Sequence, residues 1–181
     1  MLQRLSKKIL FDWLGFCENI TEPLPDKCVI ALAPHTSNWD FIIGKLYTTA
    51  IGESNLFLMK KEWFFWPLGI LMRRMGGIPV HRNKNMKITD AVAEQAKQAD
   101  IFRVCVTPEG TRKANADWKK GFYYIALKAN IPILLYGLDF KTKSIVCTKT
   151  VVPNGDVDTQ LQEIKDYFRD FTDKHPKQFA L

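Results

Sequence analysis

CVIALAPHTSNWD, residues 28–40, is the stretch of sequence that decides the fold. Its first six residues are all apolar, and a short continuous apolar run is typical of a strand buried in a parallel sheet. The run ends at Pro34-His35, and apolar residues at helical spacing follow from Asn38 to about Ile51, where Gly52 provides a stop. The stretch therefore predicts a strand that passes directly into a helix.

Strands and helices alternate along the rest of the chain. Apolar runs predict strands at residues 56–59, 78–80, 101–106, 133–136 and 144–151, and helical composition marks residues 86–97, 118–129 and 159–172. The 181 residues are enough for one domain with a real core and too few for two ordinary ones. We therefore expect a single α/β domain with a mainly parallel sheet covered by helices.

An amphipathic helix is expected in residues 1–22, ahead of the domain in residues 23–181. Its apolar residues at helical spacing are Leu2, Leu5, Ile9, Trp13 and Phe16. Packing on the domain core and attachment to an anionic lipid surface are both open for this face. Asp12 interrupts the apolar stretch and no small-residue cleavage site follows, which argues against a secretory signal peptide.

The formal net charge of +7 is concentrated in one part of the chain. The acidic residue in residues 60–87 is Glu62. The basic residues in the same range are Lys60, Lys61, Arg73, Arg74, Arg82, Lys84 and Lys87. Residues 63–72, WFFWPLGILM, lie within this part and are well short of the roughly 20 apolar residues that cross a bilayer. We call residues 63–72 the aromatic segment. Its composition has two interpretations: a hydrophobic layer packed on the sheet, or a functional surface that serves as an acyl-chain groove or a membrane wedge.

The cysteines, Cys17, Cys28, Cys105 and Cys147, form no CxxC pair, which argues against a zinc ribbon or a disulfide scaffold. This pattern favours a reducing cytoplasm. His81 and Cys105 are candidates for a metal ligand and a nucleophile, but a lone strand histidine and a mid-strand cysteine are more often structural. No metal and no cofactor are expected.

His35 and Asp40 lie five residues apart across the predicted junction of strand and helix. A carboxylate bonded to one imidazole nitrogen fixes the tautomer and leaves the other nitrogen free to take a proton from an alcohol. No enzymic nucleophile is needed when the substrate brings its own hydroxyl. The alternative interpretation is that Asp40 is an ordinary acidic residue in the first turn of a helix.

PEGTR, residues 108–112, follows the predicted strand at residues 101–106. In parallel sheets the loops at the carboxyl ends of strands usually carry the chemistry, a rule that selects this loop and the one containing His35. Gly110 allows close backbone approach, Thr111 supplies a hydroxyl, and Arg112 has a fork suited to phosphate or carboxylate. Arg82 follows GGIPVH and is equally explained, by itself, as a surface charge.

APHTSNWD, GIPVHR and TPEGTR, in this order and at these separations, resemble the first three sequence blocks of the glycerolipid acyltransferase family, which includes bacterial 1-acylglycerol-3-phosphate acyltransferases. The resemblance covers about residues 28–140 and includes WKKG at residues 118–121 and IPI at residues 131–133. Thr107, Lys113 and Tyr136 depart from the family's usual residues. These departures concern acceptor identity or pocket shape, because the chemistry does not depend on them.

The resemblance implies an acyltransferase domain in which a fatty acyl thioester, on coenzyme A or acyl carrier protein, is attacked by a hydroxyl of a lyso-glycerophospholipid. The first choice of acceptor is 1-acylglycerol 3-phosphate. His35 is then the general base and Asp40 orients it. Backbone N–H groups around the start of the His35 helix are candidates for stabilising the tetrahedral oxyanion.

The same resemblance assigns the acceptor site. Its residues are Arg82, Glu109, Gly110, Thr111 and Arg112. Glu109 and Gly110 shape the loop, and Glu109 is also a candidate to bind a glycerol hydroxyl. We expect the family's membrane-spanning amino terminus to be missing or replaced by the short amphipathic helix, and the enzyme to be peripheral, at the cytoplasmic, inner face of the membrane.

Two other classes of function remain open. A non-catalytic basic protein bound to membrane or nucleic acid would carry the motifs as relics, and nucleic-acid binding would fall steeply with salt. A lipid hydrolase would use Ser37 or Cys105, although neither lies in a Gly-x-Ser-x-Gly setting. The joint motifs favour the enzyme, with an acyl donor, a lysophospholipid and a membrane surface as partners and no nucleic acid.

Overall fold

The protein is built on one mostly parallel sheet. A computed structural model describes residues 1–80, 85–172 and 174–181. The strands are β1 Cys17–Ile20, β2 Lys27–Ala33, β3 Leu56–Lys60, β4 Gly77–Val80, β5 Phe102–Val106, β6 Ile133–Asp139, β7 Ser144–Cys147 and β8 Thr150–Val151. They lie in the order β1-β7-β6-β2-β5-β3-β4, with β8 on β6. Neighbours are parallel except that β6 runs antiparallel to β7 and β8. The predicted α/β class is confirmed.

Helices cover both faces of the sheet. They are α1 Leu2–Lys7, α2 Asn38–Ile51, α3 Leu68–Arg74, α4 Asn85–Gln98, α5 Gly121–Ala129 and α6 Val157–Tyr167, with a π-helical turn at Lys8–Trp13 and 3-10 turns at Lys61–Trp63 and Pro176–Gln178. Val29 and Ala31 of β2 join one apolar core with α4, α5 and α6, whereas Cys28 and Ile30 join the other with α2 and the π-helical turn. Since strand side chains alternate between faces, the continuous apolar run of β2 supplies both cores.

Helix α2 begins and ends where its sequence predicts. Ser37 is the N-cap, and its hydroxyl accepts the Trp39 N–H at 3.1 Å. The Asp40 carboxylate accepts the Ser37 N–H in return, which completes a capping box. Gly52 ends the helix with a φ of 80°, in the left-handed region that favours glycine. The cap therefore fixes the first turn of α2 at the carboxyl end of β2.

The amino-terminal helix buries a different face from the predicted one. Ser6 and Leu10 are buried against the domain, whereas Leu2, Leu5 and Trp13 are 73%, 48% and 68% exposed. Most of the predicted apolar face therefore points to solvent. Of the two interpretations left open, packing on the core holds for Phe16, which is buried, and fails for Leu2, Leu5 and Trp13, whose attachment to lipid is the interpretation to test.

Residues 17–20 do not continue this helix. They form β1, an edge strand that lies parallel to β7 with Cys17 opposite Ser144. Part of the segment assigned to residues 1–22 thus belongs to the sheet. Three of the four side chains of β1 are exposed, so no apolar alternation marks this strand in the sequence.

The aromatic segment is not a layer buried on the sheet. Met72 is buried, but the large exposed side chains in this segment are Trp63, Phe65, Trp66, Ile70 and Leu71, with Trp66 81% exposed. Part of the segment is the short helix α3. Among the residues that the structure describes, no helix has both the length and the apolar character to cross a membrane.

Candidate active site

Two loops meet at the carboxyl edge of the sheet because β2 and β5 are adjacent and parallel. Residues 34–37, the dyad loop, follow β2 and lead into α2. Residues 108–112, the PEGTR loop, follow β5. The register pairs Ala31 with Val106 near the ends of the two strands, so the sheet itself delivers both predicted site loops to one place.

His35 and Asp40 form the predicted pair. The distance from His35 Nδ1 to Asp40 Oδ2 is 3.0 Å. The His35 side chain is 20% exposed, whereas Asp40 is fully buried. A proton on Nδ1 donates to the carboxylate, so the second ring nitrogen, Nε2, carries the lone pair that can accept a proton from outside.

Further hydrogen bonds hold the Asp40 carboxylate in place. Oδ2 also accepts the N–H groups of Thr36 and Ser37, each at 3.0 Å, and Oδ1 accepts the Ser37 hydroxyl at 3.1 Å. Donors to both oxygens fix the orientation of this buried carboxylate. Asp40 is thus both the helix cap and the partner of the imidazole. The acidic-cap interpretation and the catalytic interpretation describe one residue with two roles.

The expectation that backbone N–H groups here stabilise an oxyanion is wrong for the groups whose partners the structure gives. The His35 N–H donates to Glu109 Oε1 at 2.8 Å. Those of Thr36 and Ser37 donate to Asp40, and that of Trp39 donates to the Ser37 hydroxyl. These donors are used by the protein, because the cap of α2 needs them.

The buried Glu109 side chain connects the PEGTR loop to the dyad loop. It is 1% exposed, and its bond to the His35 backbone fixes the residue that carries the imidazole. Gly110 has a φ of 66°, so the turn after Glu109 requires glycine. Asn115 Nδ2 donates to the Glu109 carbonyl at 2.9 Å, and the Lys119 N–H donates to the Pro108 carbonyl at 2.7 Å.

Arg112 lies across from the dyad loop. Its guanidinium donates to the side-chain oxygen of Asn38, the first residue of α2. Arg112 is exposed, and Thr111 Oγ1 accepts the Lys113 N–H at 3.3 Å. Asn38 was not predicted as a site residue, because an asparagine at a helix start has an ordinary capping explanation.

Arg82 lies outside the residues that the structure describes. The strand before it, β4, ends at Val80. Because β4, β3 and β5 are parallel, β4 ends at the same edge of the sheet as the two site loops. The GIPV part of the predicted motif is a strand, as expected. His81 also lies outside the described residues.

An apolar cavity lies between α2 and the sheet. Its lining includes Ile30, Leu32, Phe41, Gly44, Tyr47, Cys105, Tyr136 and Leu138. Asp40 lines it at the active-site edge and Glu53 lines it beyond the other end of α2. At about 1.5 Å per residue, this part of the helix is roughly 20 Å long. Tyr136, one of the departures from the family pattern, therefore shapes this cavity.

Burial shifts the pKa of four titratable groups that line the cavity, two of which, Cys105 and Lys45, bear on the chemistry. Burial raises the pKa of the Cys105 thiol to about 12, with the nearby Lys45 ammonium opposing this. Burial lowers the pKa of Lys45, whose Nζ donates to the Met75 carbonyl at 3.1 Å. A thiol with so high a pKa is a poor nucleophile. Ser37, the other hydrolase candidate, is engaged as the cap of α2.

The described residues contain no group of three or more His, Cys, Asp or Glu side chains placed to hold a metal ion.

Comparisons with known proteins identify the family and the fold of this chain. A family model described as Acyltransferase matches residues 16–135. Human 1-acyl-sn-glycerol-3-phosphate acyltransferase beta is 30% identical over 83 residues, which are 42% of this chain and 30% of that protein. The chain thus spans less than a third of that relative. The crystal structure of the 1-acyl-sn-glycerophosphate (LPA) acyltransferase PlsC from Thermotoga maritima has a TM-score of 0.60 at 16% identity, covering 95% of this chain and 80% of that chain. This last likeness concerns the fold.

Proposed function

This chain belongs to the acyltransferase family, and we propose that it is an enzyme that moves a fatty acyl group from a thioester to a hydroxyl of a lyso-glycerophospholipid. The observation that carries the proposal is the 3.0 Å bond between His35 Nδ1 and the fully buried Asp40. It leaves the second ring nitrogen of a partly exposed imidazole as a base. The name of the human relative favours 1-acylglycerol 3-phosphate as the acceptor.

The proposed reaction needs no nucleophile from the protein. His35 Nε2 takes the proton of the acceptor hydroxyl as its oxygen attacks the thioester carbonyl carbon. The tetrahedral intermediate then collapses, the C–S bond breaks, and the imidazolium returns its proton to the departing thiolate. Asp40 stabilises the imidazolium throughout. The products are the acylated lipid and free coenzyme A or acyl carrier protein.

The PEGTR loop is the proposed site of the anionic head group. Arg112 is exposed beside the dyad loop, where its guanidinium can pair with a phosphate. Thr111 and Lys113 neighbour it in the same loop, and Arg82 remains a proposed further contact. Glu109 is buried against the His35 backbone, which supports its role in shaping the loop. Binding of a glycerol hydroxyl by Glu109 remains a proposal.

The cavity beneath α2 is the proposed site of the acyl chain. It is lined largely by apolar side chains and begins at Asp40, next to the reacting atoms. The cavity has a volume of about 80 Å³, so a long acyl chain would need α2 and the sheet to separate further. The buried Arg103, which donates to the Pro25 carbonyl at 2.8 Å and contacts Glu53, marks its far end.

We further propose that the protein lies at the surface of an anionic membrane. The exposed side chains of the aromatic segment are flanked by Lys60, Lys61, Arg73 and Arg74, all exposed. Aromatic side chains favour the bilayer interface, and basic residues favour lipid phosphates. The exposed apolar face of the amino-terminal helix offers a second point of attachment.

A mass-spectrometric acyl-transfer assay tests the proposal. A panel of lysophospholipids is offered with acyl-coenzyme A or acyl carrier protein thioester as donor. Formation of the diacyl product by the parent protein is expected, with the greatest rate for 1-acylglycerol 3-phosphate. Failure of every acceptor with both donors would leave a non-catalytic basic membrane protein as the better description.

A further inference from the structure

The carboxyl-terminal segment, residues 174–181, contacts the dyad loop although it lies beyond the residues that match the family. The His175 N–H donates to Thr36 Oγ1 at 3.3 Å. The Lys174 ammonium lies 4.3 Å from the centroid of the Trp39 ring. Thr36 and Trp39 lie between His35 and Asp40 in the sequence, so this segment lies beside the reacting groups.

Gln178 reaches both active-site loops. With its amide nitrogen facing the acceptors, Nε2 lies 2.7 Å from the Arg112 carbonyl and 3.3 Å from the Thr36 carbonyl. The opposite orientation would place its oxygen against two carbonyl oxygens, so the hydrogen bonds assign the orientation. One side chain thus links the dyad loop to the PEGTR loop.

The segment is anchored independently of Gln178. Trp118 Nε1 donates to the Ala180 carbonyl at 3.1 Å, and the rings of Trp118 and Phe179 are 6.3 Å apart. Phe179 and Leu181 pack against the core that contains α5 and α6. Replacing Gln178 therefore removes the link between the loops and leaves the anchor of the segment in place.

We propose that Gln178 is a positioning residue that sets the distance between the dyad loop and the PEGTR loop. The inference rests on the proposed function, in which an acceptor held by Arg112 must present its hydroxyl to His35. A displacement of about 1 Å in such a geometry can cost on the order of 100-fold in rate. Glu109 and Asn38 also join the loops, so Gln178 contributes part of this alignment.

Two variants of Gln178 test the link. Gln178→Glu keeps the shape and replaces the donor with oxygens that repel the two carbonyls, and Gln178→Ala removes the contact. Gln98→Ala is the matched control. Gln98 ends α4 next to Lys97, whose carbonyl accepts Lys27 Nζ at the amino end of β2, the edge of the sheet opposite the site.

We expect kcat/KM for 1-acylglycerol 3-phosphate to fall roughly three- to tenfold in both Gln178 variants, with the KM for the acyl donor and the Tm unchanged. Gln98→Ala should match the parent. A merely structural role would instead lower the Tm and the apparent kcat with both substrates alike. Parental kcat/KM in Gln178→Ala would overturn the proposal.

A double variant tests whether Gln178 acts through the acceptor site that contains Arg112. In an Arg112→Ala background, Gln178→Ala should cause little further loss of kcat/KM for the acceptor, because both changes act on one contact. Independent, multiplicative losses would contradict the assigned role.

Hydrogen exchange separates this inference from the proposed function. Faster exchange in residues 34–40 and 107–113 of Gln178→Ala, and parental exchange in Gln98→Ala, are expected whether or not the protein transfers acyl groups. Unchanged exchange in both segments would overturn the link itself. Absence of acyl transfer by the parent would overturn the proposed function.

Discussion

The region around the dyad loop and the aromatic segment differ in the burial and the hydrogen bonding of their side chains. Beside the dyad loop, Asp40 of α2 is fully buried and accepts hydrogen bonds from the imidazole, two backbone N–H groups and a hydroxyl. In the aromatic segment, Trp66 is 81% exposed and its large neighbours Phe65 and Leu71 are 58% and 52% exposed. The first region satisfies its polar groups within the chain, and the second exposes large apolar side chains.

This difference indicates that the proposed catalytic groups and the proposed lipid-binding surface have different structural requirements. A base that must accept a proton in a fixed direction needs a preorganised orienting carboxylate, which the cap of α2 provides. A surface that takes up lipid need only keep apolar side chains accessible. The following variants change either the groups around the catalytic pair or the exposed side chains, and each measures the effect on activity or on membrane binding.

Asp40→Asn should have the largest effect on activity. The amide cannot stabilise an imidazolium as a carboxylate does, so kcat should fall by about 10²–10⁴. Steady-state acyl transfer measures it. Asp158→Asn is the control, because Asp158 also lies in the first turn of a helix but is exposed, paired with Lys120. Equal activity of the two variants would reduce Asp40 to an ordinary helix-start residue.

The second-largest effect is expected on membrane binding, when three exposed side chains of the aromatic segment are replaced. The triple variant Trp66→Ser, Ile70→Ser, Leu71→Ser should bind vesicles containing anionic phospholipid about 10- to 100-fold less tightly, since several apolar side chains lose an interfacial site. Vesicle sedimentation measures the partition. Ile101→Ser, which changes a 62% exposed side chain before β5, is the control. Undiminished binding would assign attachment to the amino-terminal helix instead.

Arg112→Ala should raise the KM for a phosphorylated acceptor about tenfold. The charge-assisted contact that it removes is worth about 1.5–3 kcal/mol, and neighbouring Lys113 compensates in part. The acyl-donor KM should not change. Arg169→Ala, an exposed arginine after α6 that pairs with Asp166, serves as the comparison. A parental acceptor KM would remove Arg112 from the head-group site.

Alkylation of the cysteines should have the smallest effect. Burial raises the pKa of Cys28, Cys105 and Cys147 to about 12, so at pH 8 roughly one part in ten thousand of each is thiolate. Cys17 is exposed. Iodoacetamide should therefore label Cys17 in the native protein with activity within about twofold of the parent. Native labelling of Cys105 with loss of activity would restore it as a nucleophile.

Local sequence rules predicted the site's framework. The bounds of α2 agree with the prediction, because the apolar spacing from Asn38 and the stop at Gly52 are features of neighbouring residues. Periodicity and turn chemistry are sufficient for features of this kind. The same rules placed both predicted loops at the carboxyl ends of parallel strands, but the adjacency of β2 and β5 comes from the structure.

Contacts between distant residues were beyond those rules. The bonds of Glu109 to the His35 backbone, of Arg112 to Asn38 and of Gln178 to both loops each join residues far apart in the chain. The oxyanion expectation failed for the same reason, because it counted free N–H groups without knowing their acceptors. The buried face of the first helix likewise depends on what packs against it.

The central claim is that His35 is the general base for acyl transfer to a lysophospholipid. Mass spectrometry of diacyl product, formed from 1-acylglycerol 3-phosphate and an acyl thioester by the parent and by His35→Ala at matched folded concentration, tests it most directly. We predict robust product from the parent and a kcat lower by about 10²–10⁴ in the variant. Equal rates in the two proteins would contradict the claim.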